Sequence, residues 1–221
     1  DDIDVCMPRK DYLKFIETFD GWDKNLQVRS TLKNNFGAPF SKIVDLRTKI
    51  DAKYTENDID THLWIDVFPV DGLPENIAEV EKIYKDCNFY RRVLLLTGAK
   101  LGEGKTTFKK YVKYILKPLA ILYGKQRCIN NMERIASRYP YEKCKYVGDI
   151  VWGLYGVGER MLKYEFEKVV EVEFEGHKFP TFSCWDGYLK GLYGNYMELP
   201  PIEERNSHHN FKVFWKVNEE C

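Results

Sequence analysis

Asp2 and Asp4 are separated by a single residue in the stretch Asp1-Asp2-Ile3-Asp4-Val5-Cys6-Met7, where acidic and apolar residues alternate. In a β-strand that alternation puts both carboxylates on one face, about 7 Å apart, and turns Ile3 and Val5 to the core. Carboxylates so placed repel each other unless a cation lies between them. A hard divalent ion such as Mg²⁺ is held by one or two protein carboxylates, and substrate phosphates complete its shell. The chemistry this pair suits is metal-dependent phosphoryl or nucleotidyl transfer; the plainer alternative is a solvated chain end. A third carboxylate, Asp66, stands inside the apolar run of residues 62–72. Burying it there is costly without a partner. If its strand neighbours the first, the three converge. Asp2 and Asp4 would then hold the metal, and Asp66 would complete the metal site or take the proton of an attacking hydroxyl. Asp71, just before Gly72, reads as a turn residue.

The elements that must position these groups follow from the pattern. Pro8 begins a helix whose apolar residues over 11–19 recur at helical spacing, with Gly21 as its stop. Residues 26–29 and 41–50 alternate with period two and read as strands, separated by the turn chemistry of Asn34-Asn35-Phe36-Gly37-Ala38-Pro39. Asn57 and Asp58 mark a further turn before the Asp66 strand. Residues 75–84 form a long helix that extends through residues 91–94. A second helical pattern (Phe108, Tyr111, Val112, Ile115, Leu119, Leu122) runs to Tyr123, kinked or divided at Pro118. Its lysines, Lys109, Lys110, Lys113 and Lys117, read first as a solvated face, with a phosphate or membrane-surface patch as the alternative. Residues 128–136 continue as helix. Residues 146–151 and 169–174 return to strand, Glu175-Gly176 forms a hairpin turn, and residues 185–194 form a short helix with a glycine stop.

Length and composition narrow the class. A chain of 221 residues and 26.2 kDa makes one domain, or one with a subdomain, and has ample material for a core. With 15% aromatic and 31% charged residues it is globular rather than disordered. Lys and Arg number 34, as do Asp and Glu, so nothing in the net charge argues for a nucleic-acid partner. Six cysteines without a C-x-x-C pair exclude a zinc knuckle and a small disulfide scaffold, and point to reduced thiols and a cytoplasmic location. The longest apolar run, residues 93–96, cannot span a bilayer. Membrane association is expected to be peripheral at most, at the inner face.

Residues 94–107 imitate a strand running into a phosphate-binding loop. The motif G-x-x-x-x-G-K-[ST] needs its first glycine at position 99, which is Ala99, and Gly98 is one place early. A helical context upstream also argues for a Gly-rich inter-helix loop. A P-loop nucleotide-binding protein therefore stands as an alternative function, beside a non-catalytic glycan- or partner-binding module.

Several blocks, taken in order, resemble one family. Residues 1–12 are similar to the D-D-I-D-h-x-M-P-R-x-D-Y segment of the LicD family, phosphocholine transferases of the nucleotidyltransferase superfamily related to the fukutin-type transferases. Trp64-Ile65-Asp66-Val67-Phe68-Pro69-Val70-Asp71-Gly72 resembles a second block. Phe174-Glu175-Gly176, Tyr193-Gly194-Asn195-Tyr196-Met197 and Leu199-Pro200-Pro201, followed by His208, resemble a third. The resemblance implies an α/β (α+β) fold: a nucleotidyltransferase-like mixed sheet flanked by helices. Residues 1–74 would form the catalytic core, and residues 75–221 a helical and aromatic C-terminal portion packed on it. It implies transfer of phosphocholine, or a similar phospho-alcohol, from a CDP-activated donor such as CDP-choline to a glycan hydroxyl of lipopolysaccharide or teichoic acid, with Mg²⁺ or Mn²⁺. Asp2, Asp4 and Asp66 would be the catalytic and metal residues, and Arg9, Tyr193 and His208 would contact substrate. One or two of Phe182, Trp185, Tyr188, Tyr193 and Tyr196 could stack on cytosine or enclose a quaternary ammonium. In the family a helix and a Gly-rich turn precede the acidic segment, so a chain opening on that segment is expected to be truncated.

Overall fold

Helices and antiparallel strands combine in an α+β fold in the computed structural model, which describes residues 3–20, 22–52, 62–102, 107–199, 201–202, 205 and 211–216. Two compact units are formed. One comprises Asp1–Pro69 and Pro200–Cys221, the other Val70–Leu199.

The first unit is built from β1 (Asp4–Pro8), α1 (Arg9–Thr18), β2 (Leu26–Arg29), β3 (Ser41–Asp45), β4 (Thr48–Ala52), the first part of β5 (Leu63–Leu73) and a last strand, β10 (Phe211–Trp215). Strands β2, β3 and β5 are hydrogen-bonded in that order, and β1 also pairs with β5. Pro8 occupies the N-cap of α1, as its fixed φ suits, and the helix ends at Thr18, before Gly21, which lies outside the described residues. Tyr12 and Ile16, one turn apart, bury against Val28 and Val67, with Val5, Met7, Phe15, Phe19 and Ile43 packed around them. The Tyr12 hydroxyl and Ser41 Oγ share a buried hydrogen bond of 2.7 Å, which fixes α1 over β3.

The expected single strand over residues 41–50 is two strands. The Asp45 carboxylate accepts from the Arg47 backbone N–H at 3.0 Å and grips its guanidinium, closing a turn after β3. After it the chain enters β4, which pairs with β10 rather than with β3. The turn expected at Asn57 and Asp58 lies outside the described residues.

In the second unit the end of β5 pairs with β6 (Tyr146–Gly148), and β6 with β7 (Met161–Leu162). Helix α2 (Ile77–Gly98) is capped by Asn76, whose Oδ1 accepts from the Ala78 and Glu79 backbone N–H groups. Its buried stripe, Val80, Ile83, Tyr84, Cys87 and Leu94, packs on Cys128, Ile129, Met132 and Ile135 of α4 (Lys125–Ala136). Between them in sequence runs α3 (Thr107–Tyr123), continuous through Pro118. The remainder is α5 (Lys163–Glu167), the hairpin of β8 (Val169–Phe174) and β9 (His177–Phe182), and α6 (Trp185–Tyr193). Positive φ at Glu175 (51°) and Gly176 (75°) makes the expected tight turn.

Two sequence expectations are corrected here. Asp71 is no turn residue: it is buried inside β5 opposite Gly148. Gly72 follows it because a Cβ there would lie 2.7 Å from both Cys144 Sγ and the Tyr139 carbonyl oxygen. The strand expected over residues 146–151 stops at Gly148. Leu94–Gly98 is the end of a helix, so the strand a P-loop requires is not there; Gly104 and Lys105 lie outside the described residues. The described cysteines are free, and burial pushes the Cys87 thiol up to about 12, which leaves it inert.

Glu159 is a buried carboxylate that sequence reasoning did not single out. It accepts hydrogen bonds from the Leu154 and Tyr155 backbone N–H groups and the Tyr188 hydroxyl (3.0, 3.2 and 2.8 Å). Burial nevertheless raises its pKa above the ordinary 4.5, outweighing those three bonds. A carboxyl raised in the folded state contributes stability that is complete below its unfolded pKa and is lost as pH rises through the folded one. In Glu159→Gln that loss should vanish. Urea unfolding from pH 4 upward should show wild type losing stability relative to the variant as pH rises, then running parallel to it.

Candidate active site

Asp66 occupies the middle of the first half of β5, directly opposite Lys42 of β3 in the antiparallel register. Strand alternation sorts the residues of this sheet by face. Val67 and Ile43 belong to the core under α1, so Asp66 and Lys42 project from the other face. On that face Lys42 Nζ lies 3.4 Å from Asp66 Oδ1, with both side chains largely enclosed. The ammonium also lies 4.0 Å from the centre of the Trp64 ring and 5.5 Å from that of Phe36. Phe40 continues the aromatic wall, 5.4 Å from Phe36 and 4.9 Å from Phe68. The partner that a carboxylate in an apolar strand demands is therefore a lysine held in an aromatic box.

The same alternation places Asp4. Val5 and Met7 pack into the α1 core, so Asp4 and Cys6 of β1 project to the opposite face. Because β1 pairs with β5, Asp4 and Asp66 lie on hydrogen-bonded neighbouring strands and share one sheet face. The sequence-level condition for convergence is met for these two. Asp2 lies outside the described residues. Asp4 is solvent-exposed, as is Ile3, which the alternation had turned to the core.

Arg9 follows immediately as the first residue of α1, half-buried, its guanidinium 5.5 Å from the Tyr12 ring centre. Tyr193 belongs to the second unit, at the end of α6, where it is exposed and makes an edge contact with Tyr155 at 5.2 Å. His208 lies outside the described residues. Among the C-terminal aromatics, Tyr188 is bound to Glu159 and Tyr196 donates to Asp186 at 2.7 Å, so both hydroxyls have structural tasks. Lys42 is the site residue that sequence reasoning missed. Its position in a period-two strand made it visible as an inward or outward cation, but only the β3–β5 register sets it against Asp66.

No family model matches the chain, and no solved structure matches it. A curated protein does: the lipopolysaccharide cholinephosphotransferase LicD of Haemophilus influenzae is 31% identical over 219 residues, 95% of this chain and 78% of the relative. The chain belongs to the LicD family. The resemblance carried by the acidic segment and the Asp66 block thus extends over nearly every residue, and the LicD relative it matches is a transferase enzyme.

Hard carboxylate oxygens on one sheet face fit a divalent ion, so Asp4 and Asp66 have the donor chemistry that Mg²⁺ or Mn²⁺ requires. Among the described residues there is no cluster of three metal-ligating side chains; Asp2 is not one of those residues.

Proposed function

We propose that this protein transfers phosphocholine, or a similar phospho-alcohol, from a CDP-activated donor to a hydroxyl of a cell-surface glycan such as lipopolysaccharide or teichoic acid. What supports the reading above all is the placement of Asp4 and Asp66 on one face of adjacent strands in a member of the LicD family. A divalent ion held by Asp2 and Asp4 would neutralise charge on the donor's phosphates. Asp66 accepts the proton of the attacking hydroxyl as its oxygen bonds to phosphorus, and the bond to the CMP oxygen breaks. Lys42 fixes Asp66 in orientation and keeps a positive charge beside the reacting phosphate. Arg9, at the start of α1, pairs a phosphate oxygen of the donor.

The test is an assay of the purified chain with CDP-choline, Mg²⁺ or Mn²⁺, and lipopolysaccharide or teichoic acid as acceptor. The expected result is CMP release with a phosphocholine unit added to the glycan, abolished in Asp4→Ala. Full activity in Asp4→Ala overturns the site. Glycan binding with no turnover and no divalent-ion binding overturns the enzymatic reading.

A further inference from the structure

Helix α3 is turned the wrong way round for a helix of a water-soluble surface. Its sequence pattern promises a core-facing stripe of Tyr111, Ile115, Leu119 and Leu122 with lysines toward water. Ile115 is 70% exposed and Leu122 80%, with Tyr111, Tyr114, Leu119 and Ile121 exposed around them. Positions 111, 115, 118 and 122 fall on one line along the helix, and Pro118 completes it with another apolar side chain. The face that packs on α2 and α4 instead carries buried Ala120 and half-buried Lys113 and Lys117, and the Lys117 ammonium donates to the Ala99 carbonyl at 2.9 Å. Tyr114 brings its hydroxyl over the Leu101–Gly102 turn, whose Leu101 is also exposed.

Charge identifies what covers this face. From residue 104 to residue 132 the sequence has seven Lys and Arg and no Asp or Glu, in a chain whose cations and anions otherwise balance. An apolar strip beside a purely cationic stretch suits a surface with an anionic rim and an apolar interior. A second copy of the chain does not offer that: a two-fold contact through this face would set the cationic stretch against itself. Among the described residues no helix is long and apolar enough to cross a membrane. A helix whose aromatic and aliphatic residues face outward within a cationic stretch does, however, suit the plane of a lipid interface.

We propose that α3 docks on an anionic lipid bilayer, laying Tyr111, Ile115, Leu119 and Leu122 into the boundary between headgroups and acyl chains. The docking is independent of which group the protein transfers. The full chain should co-sediment with vesicles of phosphatidylglycerol and phosphatidylethanolamine, bind far more weakly to phosphatidylcholine alone, and release as salt rises from about 50 to about 500 mM. The double substitution Ile115→Glu/Leu122→Glu, at exposed positions, should leave thermal unfolding unchanged and lower the partition constant by about tenfold or more. As a second measurement, Ile115→Trp should gain emission that brominated lipids quench beyond the wild-type level. No binding to either vesicle, binding unaltered by the double substitution, or a wild-type dimer whose dissociation is the substitution's sole effect would each overturn the proposal. None of these readouts measures transfer, so they stand apart from the reaction assay.

Discussion

Asp66→Asn should lower kcat by about 10²–10⁴-fold, the usual cost of losing a general base. Asparagine keeps the shape of the side chain and removes its charge and its capacity to take a proton. The loss should fall on kcat, with KM for the donor moving much less, because the proton is transferred only as the phosphorus–oxygen bond forms. Lys42→Met should also reduce kcat, but less, since in the proposed mechanism Lys42, 3.4 Å from Asp66, only orients it and supplies charge. A kcat for Asp66→Asn within a factor of a few of wild type would remove Asp66 from the chemistry. The carboxylate of Asp4 would then have to carry both roles.

Arg91→Leu should destabilise the second unit by about 2–5 kcal/mol, at about 1–3 kcal/mol for each of the two carbonyls left without a donor. Arg91 is buried on α2, and its guanidinium donates to the Trp152 and Gly153 carbonyls, each at 2.8 Å, and to Asn88 Oδ1 at 2.9 Å. Leucine fills part of the volume and leaves both carbonyls in the interior without their donor. Gly153 is held in a close approach where a Cβ would lie 2.2 Å from the Asp149 carbonyl oxygen. Arg91→Lys should recover only part of the loss, since one ammonium cannot span three acceptors in the fixed fork of a guanidinium. Denaturant unfolding followed by far-UV circular dichroism would measure both. A cost below about 1 kcal/mol for Arg91→Leu would show that the Trp152–Gly153 segment is held by other contacts.

Local rules were legible in the sequence wherever local chemistry decides the outcome. Pro8 before α1, the Glu175-Gly176 turn and the long helix after residue 75 all follow from propensities that tertiary packing did not need to override. The requirement that Asp66 have a partner was legible as well, because desolvation acts on a residue wherever it is buried. The identity of that partner was not. Lys42 and Asp66 are 24 positions apart, and only the β3–β5 register makes them neighbours. Asp71-Gly72 shows the opposite failure: the dipeptide has turn chemistry, yet a close approach of Cys144 and Tyr139 claims the glycine for the last residues of a strand. The break between β3 and β4 escaped for a related reason, since Asp45 and Arg47 fit an alternating strand as well as they fit a turn. Helix α3 was found, but periodicity fixes which residues share a face and not which way that face looks.

The pairing of β10 with β4 governs the order in which this protein can be completed on the ribosome. Translation delivers residues 70–199, with α2, α4 and their shared core, before Phe211–Trp215 has been made. The nascent second unit can therefore close while the first still exposes the edge of β4. A stop between residues 199 and 211 leaves a chain with one finished unit and one open edge. Quality control is accordingly expected to act on the unit that carries Asp4 and Asp66, and loss of Phe211–Trp215 is felt there first.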